Sequence, residues 1–169
     1  MSDLTQPFID EHLELMQEIE VLKQVADMIG VAPLITLHEQ LDALYEFLTH
    51  QLRPHAQAEE QVFYPLVAQL LDSTEATDAM RREHAEADRF IDELNILRAK
   101  IGDNVLSAAQ ANQLRHVLNG LHTILKAHFA KEEEIFLPLI EWRLTPIGAQ
   151  DLFDKMAWAE VKAQRALAV

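Results

Sequence analysis

Two stretches of this chain carry the same pattern, His55-x-x-x-Glu59-Glu60-x-x-Phe63-x-Pro65-Leu66 and His128-x-x-x-Glu132-Glu133-x-x-Phe136-x-Pro138-Leu139. Each is preceded by another histidine at nearly the same distance: His12 lies 43 positions before His55, and His84 lies 44 positions before His128. A chain written twice in this way is expected to fold as two similar halves, about 5–71 and 74–141. Each half then brings two histidines and a carboxylate toward a common interior.

The halves read as helices. Glycine occurs only four times, and apolar residues recur at three- and four-residue spacing without the alternation of strands. A first helix is expected from about Thr5-Gln6-Pro7, with Thr5 as its cap, to about Gly30. It would bury Phe8, His12, Leu15, Ile19, Leu22, Ala26 and Ile29. A second runs from about Pro33 to Leu71, with Leu41, Leu44, Leu48, Leu52, His55, Glu59, Phe63 and Leu66 on one face. Pro54 lies inside it. An interior proline costs about 3 kcal/mol, so a kink or break is expected there, although the repeat has Ala127 at that position.

Asp72-Ser73-Thr74-Glu75 offers a turn and a cap for a third helix, with Met80, His84, Ala87, Ile91 and Leu94 inward and a stop around Gly102-Asp103-Asn104. Ser107 can cap a fourth, whose stripe is Leu114, Leu118, Leu121, Leu125, His128, Glu132, Phe136 and Leu139. Thr145-Pro146 opens a last, shorter helix through Leu152, Phe153, Met156 and Ala159, with an alanine-rich tail expected to fray. Short connections imply an all-α, up-down-up-down four-helix bundle over 1–145, with the fifth helix, 146–169, packed on it.

Composition narrows the chemistry. The chain has 169 residues, enough for one domain with a proper core. Its 14 Lys and Arg against 28 Asp and Glu leave a net charge of -14, and no basic cluster suits a phosphate backbone, so nucleic acid is not an expected partner. Absence of cysteine excludes disulfides, thiolate-bound zinc and iron–sulfur clusters. No segment reads as a signal peptide or membrane span, and the expected compartment is the cytoplasm.

Residues four apart on a helix are offset by about 40° around its axis, so His55 and Glu59 project side by side, as do His128 and Glu132. Each pair is a preformed chelate. A single buried histidine usually finds a hydrogen-bond partner and means little. Two carboxylates in one apolar core are different, because each costs several kcal/mol unless a cation compensates it. Six nitrogen and oxygen donors, His12, His55, Glu59, His84, His128 and Glu132, suit two metal ions better than one, with each carboxylate able to bridge and two imidazoles per metal. This ligation points to redox-capable iron, with manganese as a substitute, whereas zinc would leave dioxygen chemistry unused. The Glu-x-x-His scheme of ferritin-like bundles fits none of the four histidines.

These residues resemble the hemerythrin-like family, specifically the bacterial His–His–Glu cation-binding domains, over roughly Phe8 to Trp142. The resemblance implies an up-down four-helix bundle around a non-haem centre of two iron ions with a bridging oxo or hydroxo group, held by those six residues. Two departures separate the chain from the invertebrate oxygen carriers. A carrier histidine one turn from the first on the third helix is replaced by Met80 or Asp88, and the carriers' aspartate on the last bundle helix is Glu132 here.

Asp88 is then a seventh ligand or, more in keeping with acidic residues on helix faces, an outer or solvated group. Glu60 and Glu133 either orient histidines from outside or sit at the rim. Phe63, Phe136, Leu52 and Leu125 would limit water access, and Tyr45 and Tyr64 lie within possible reach of the metals. His50, His116 and His122 should point away. The function expected is binding or sensing of dioxygen or a related diatomic or peroxide ligand, with iron storage or buffering. The alternative is a di-iron redox enzyme acting on peroxide or nitric oxide.

Overall fold

The computed structural model describes residues 4–102 and 105–167, so the expected stop at Asp103-Asn104 and the last two residues of the tail lie outside the described residues. Among those described there are helices and no strands. Element α1 spans Gln6–Met28. A second helical rod over 34–71 is built from α2 (Leu34–Phe47), a π turn π1 (Leu48–Leu52), α3 (Arg53–Ala58), a π turn π2 (Glu59–Phe63) and α4 (Tyr64–Leu71). Next comes α5 (Glu75–Lys100). A fourth rod over 108–143 comprises α6 (Ala108–Lys131), π3 (Glu132–Phe136) and α7 (Leu137–Arg143), and α8 (Pro146–Leu167) completes the chain.

Helix ends follow local chemistry. The chain leaves α1 through Gly30, whose φ of 81° is cheap only without a Cβ, and Asp72 takes the same left-handed turn after α4. Ser107 caps α6 in a reciprocal box with Gln110. Thr5 does not cap α1 through its side chain. Its buried hydroxyl instead donates to Glu141 Oε1 at 2.7 Å, tying the start of α1 to the end of the fourth rod.

The kink expected at Pro54 takes another form. Proline lacks an N–H, and its ring collides with the carbonyl one turn back. Each π turn lies just ahead of a proline: Arg53 N–H reaches Leu48 O before Pro54, Tyr64 N–H reaches Glu59 O before Pro65, and Leu137 N–H reaches Glu132 O before Pro138. Widening the turn by one residue relieves the collision while the rod stays helical. Ala127 imposes no such demand, and α6 runs through it as regular α-helix.

An extra residue also rotates everything beyond it by about 100°. The apolar stripe therefore moves off Leu66 and Leu139, which are half-buried, onto Tyr64, Val67, Leu137 and Ile140, which are fully buried. The rods pack in the cyclic order α1, second rod, α5, fourth rod, as an all-α bundle. At 22 residues α8 is almost as long as α1, and it lies across π1, α3 and π2 of the second rod. Leu152 and Met156 seat it in an apolar cluster with Phe8, Phe63, Tyr64 and Phe136. A larger cluster fills the other end of the bundle, from Leu15 to Leu125 and Phe129. No helix among the described residues is long and apolar enough to cross a membrane.

Candidate metal centre

Between the two apolar clusters the interior turns polar. His12, His55, Glu59, His84, His128 and Glu132, on four different rods, are all buried and converge there, with Glu59 and Glu132 at 0% exposure. Glu59 and Glu132 each open a π turn, so the same wide turns that accommodate Pro65 and Pro138 aim the carboxylates.

Both carboxylates face two ways. Glu59 Oε1 lies 2.9 Å from His55 Nε2 and 3.9 Å from His12 Nε2, while its Oε2 lies 3.2 Å from His84 Nε2 and 3.9 Å from His128 Nε2. Glu132 Oε2 lies 3.5 Å from His12 Nε2, and its Oε1 lies 3.5 Å from His128 Nε2. Two groups able to hold a cation result, His12 with His55 and Glu59, and His84 with His128 and Glu59. Glu132 borders both.

Every one of the four histidines donates its outer nitrogen to a different glutamate. His12 Nδ1 reaches Glu133 at 3.1 Å, His55 Nδ1 reaches Glu11 at 2.9 Å, His84 Nδ1 reaches Glu60 at 2.8 Å and His128 Nδ1 reaches Glu83 at 3.0 Å. The set is duplicated like the inner one. Glu60 and Glu133 hold histidines of the opposite half, whereas Glu11 and Glu83 hold those of their own. Such bonds fix the tautomer, leaving a bare lone pair on each inward Nε2, and they raise its basicity. Glu60 and Glu133 combine both roles foreseen for them, since each is about 40% exposed at the rim. Glu11 and Glu83 escaped the sequence reading, although a signal was present: Glu-His stands at 11–12 and again at 83–84.

A cation fits what this leaves behind. His12 Nε2, His55 Nε2, both oxygens of Glu59 and Glu132 Oε2 are buried with no hydrogen-bond partner. Buried lone pairs facing one another at 2.9–3.9 Å are unfavourable by a few kcal/mol per group unless positive charge lies between them. Electrostatics point the same way. Burial works to lower the histidine pKa values, yet carboxylates reverse the sign in all four: Glu133 and Glu59 raise His12, Glu59 and Glu11 raise His55 strongly, and Glu59 and Glu60 raise His84. His128 is pushed up to about 10 by Glu132, Glu59 and Glu83 against the same burial. Glu59 is held well below the usual carboxylate range by His55, His12 and His128 despite its burial, whereas burial and the Glu59 charge push Glu132 up to about 7. Protons and metal ions compete for one centre.

The other expected residues sort cleanly. Asp88 is 55% exposed and accepts from Arg53 Nε at 2.7 Å, so it is a solvated ion-pair partner and not a seventh donor. His50 and His116 are exposed, and His122 pairs with Glu20 outside the centre at 3.0 Å. Tyr45 lies under Arg98, 4.3 Å from its guanidinium, away from the histidines. Tyr64 is at the centre: its hydroxyl donates to Glu132 Oε1 at 2.8 Å and lies 3.1 Å from His128 Nε2 and 3.3 Å from His84 Nε2. Burial and the charges of Glu59 and Glu132 push its pKa up. Phe63 and Phe136 close the side on which Tyr64 sits, their rings 6.1 Å apart.

Leu52 and Leu125 border a cavity on the opposite side. It has a volume of about 110 Å³, is walled by those residues with Ala87, Ile91 and Phe129, and touches His55, Glu59, His84 and His128. Arg53 and Asp88 stand at its edge.

No curated protein and no solved structure matches the chain. The family model described as "Hemerythrin HHE cation binding domain" matches residues 3–140, which takes in all six converging donors and the four outer glutamates and stops short of α8. With that match covering most of the chain, and with the His and Glu donors gathered in the bundle, the chain belongs to the hemerythrin HHE cation-binding domain family, and it binds metal cations.

Proposed function

We propose that this protein holds two iron ions, with a bridging oxo or hydroxo group, and uses them to bind or sense dioxygen or a related small ligand while buffering iron. His12, His55, His84 and His128 are the terminal ligands, and Glu59 and Glu132 bridge. The observation that carries this reading is the pairing of two donor groups, each with one oxygen of both bridging candidates beside it, with a cavity of about 110 Å³ that touches them. Pockets that take organic substrates are several times larger, about 300–1,000 Å³, so a diatomic molecule or peroxide is the size class that fits. Iron in nitrogen and carboxylate ligation supplies reversible one-electron chemistry and affinity for such molecules.

The chain's own residues do the rest. Glu11, Glu60, Glu83 and Glu133 orient the imidazoles and hold their outer protons. Leu52, Leu125, Ile91 and Phe129 keep the approach apolar, which favours an uncharged ligand over water.

Protein from iron-supplemented growth is expected to carry close to two irons per chain, and a metal-free product would overturn the proposal. His55→Ala and Glu132→Ala should strip most of the metal while His116→Ala keeps it; equal retention in all three would refute the ligand set. Mixing the reduced protein with air separates binding from catalysis. A stable, reversible absorption band supports the proposal, and rapid one-way oxidation with turnover of peroxide would replace it with an oxidoreductase.

A further inference from the structure

Tyr64 is surrounded by more acceptors than its hydroxyl can satisfy. Its single proton goes to Glu132 Oε1 at 2.8 Å, yet His128 Nε2 and His84 Nε2 lie at 3.1 and 3.3 Å. Both imidazoles already donate from Nδ1, to Glu83 and Glu60, so their Nε2 atoms present lone pairs to the phenol oxygen. The two nitrogens are themselves 3.0 Å apart. A proton on an Nε2 atom would satisfy some of these contacts, and a cation in the same place would satisfy all of them at once.

The spacing has another reading. Donor atoms at adjacent positions around one cation, each about 2.1 Å from it, stand about 3.0 Å from one another. Tyr64 Oη keeps that spacing from His84 Nε2, His128 Nε2 and Glu132 Oε1, and Glu59 Oε2 keeps it from His84 Nε2. We infer that Tyr64 is a metal ligand, joining His84, His128, Glu59 and Glu132 on one of the two cations through its phenolate oxygen. This rests on the two-metal reading above. On coordination the O–H bond breaks, its proton is lost to solvent, and the phenolate oxygen bonds the cation with no change of oxidation state.

The duplication makes the assignment one-sided. In the second half the position corresponding to Tyr64 is Leu137, which has no donor. The group of His84 and His128 therefore musters five donor atoms, whereas the group of His12 and His55 musters four, with Glu59 Oε1 and Glu132 Oε2. The His12 side is left with more positions for an outside ligand.

Ferric phenolates absorb in the visible and give tyrosinate ring vibrations in resonance Raman spectra. Iron-loaded wild-type protein is expected to show both, and Tyr64→Phe to lose both. The chain has one other tyrosine, Tyr45, so Tyr45→Phe should retain the signals. An iron-loaded wild type without tyrosinate vibrations would overturn the assignment even if the variant failed to fold, and so would a Tyr64→Phe spectrum identical to wild type. Metal content measured on the same samples separates the two claims: iron bound without the signature removes Tyr64 alone, and no iron bound removes the di-iron reading and Tyr64 with it.

Discussion

The halves of the bundle are copies where charge must be compensated and differ where it is adjusted. Inner histidines, inner carboxylates and outer glutamates all recur, and each histidine finds its glutamate in both halves. Beside that sameness, Tyr64 faces Leu137 in the repeat, Pro54 faces Ala127, and the two outer glutamates ahead of the first histidines have opposite neighbours. Glu83 pairs with Lys131 as well as His128, and the His128 hydrogen bond and then Lys131 bring it down to about 2 against its partial burial. Glu11 instead meets Glu160 from α8, the two carboxylates and the His55 ring each offering an atom within 4.8 Å of the others. The repeated set supplies the cage for cations, and its two sides have different surroundings.

The largest effect should come from removing the glutamates that both halves share. Glu83→Ala or Glu11→Ala frees an imidazole to rotate and lowers its basicity, so metal affinity should fall about 10–100-fold, read by competition with a chelator. Glu60→Ala and Glu133→Ala should cost less, since water can replace a carboxylate about 40% exposed. If the four variants held metal as tightly as wild type, the outer ring would be ornamental and the equivalence of the halves would stop at the inner donors.

Much of this was legible in the sequence, because repetition and helical spacing are themselves geometric statements. The His-x-x-x-Glu pairs predict side-by-side projection, and His12 and His84 take their place from the apolar stripes around them. What escaped depends on phase. The spacing predicts Leu66 and Leu139 on the buried face, but the π turns at Glu59–Phe63 and Glu132–Phe136 add a residue and bring in Tyr64 and Leu137. Pro65 and Pro138 carried the warning, since a proline inside a helix must be accommodated somewhere. Glu160 was out of reach for another reason: nothing local says that α8 crosses the second rod at His55.

Glu160 offers the next test of the contrast. Burial first, and then Glu11, push its pKa from 4.5 up to about 8. Folding therefore favours the neutral carboxyl, whose contribution is complete below about pH 4.5 and is lost as pH rises through about 8. On the Lys131 side the sign is reversed, because Glu83 contributes as a carboxylate and weakens only as pH falls toward 2. Glu160→Gln keeps a donor for Glu11 and cannot ionise. Its melting temperature should exceed that of wild type by a growing margin from about pH 5 to 9, at roughly 2–4 °C per kcal/mol for a chain of this length. Parallel curves for the two proteins would show that the Glu11 and Lys131 sides do not differ in this way.

The smallest effect is expected where the halves differ most visibly in sequence. Pro54 brings the π turn Leu48–Leu52, and its counterpart Ala127 brings none, yet His55 and His128 reach the same centre. Relaxing that turn to α geometry would rotate α2 by about 100° relative to α3. Leu37, Leu41 and Leu44 would then leave the core on one side, or His55 and Glu59 would leave the centre on the other. Burying those three leucines again elsewhere is not available to the bundle, and at about 1.5–3 kcal/mol each they outweigh any gain from one recovered helical bond of about 1 kcal/mol. Pro54→Ala should therefore keep the π turn, hold as much metal as wild type and shift the denaturation midpoint by the equivalent of less than about 1 kcal/mol. Loss of metal in this variant would mean that the proline, and not the packing on either side of it, sets the aim of His55.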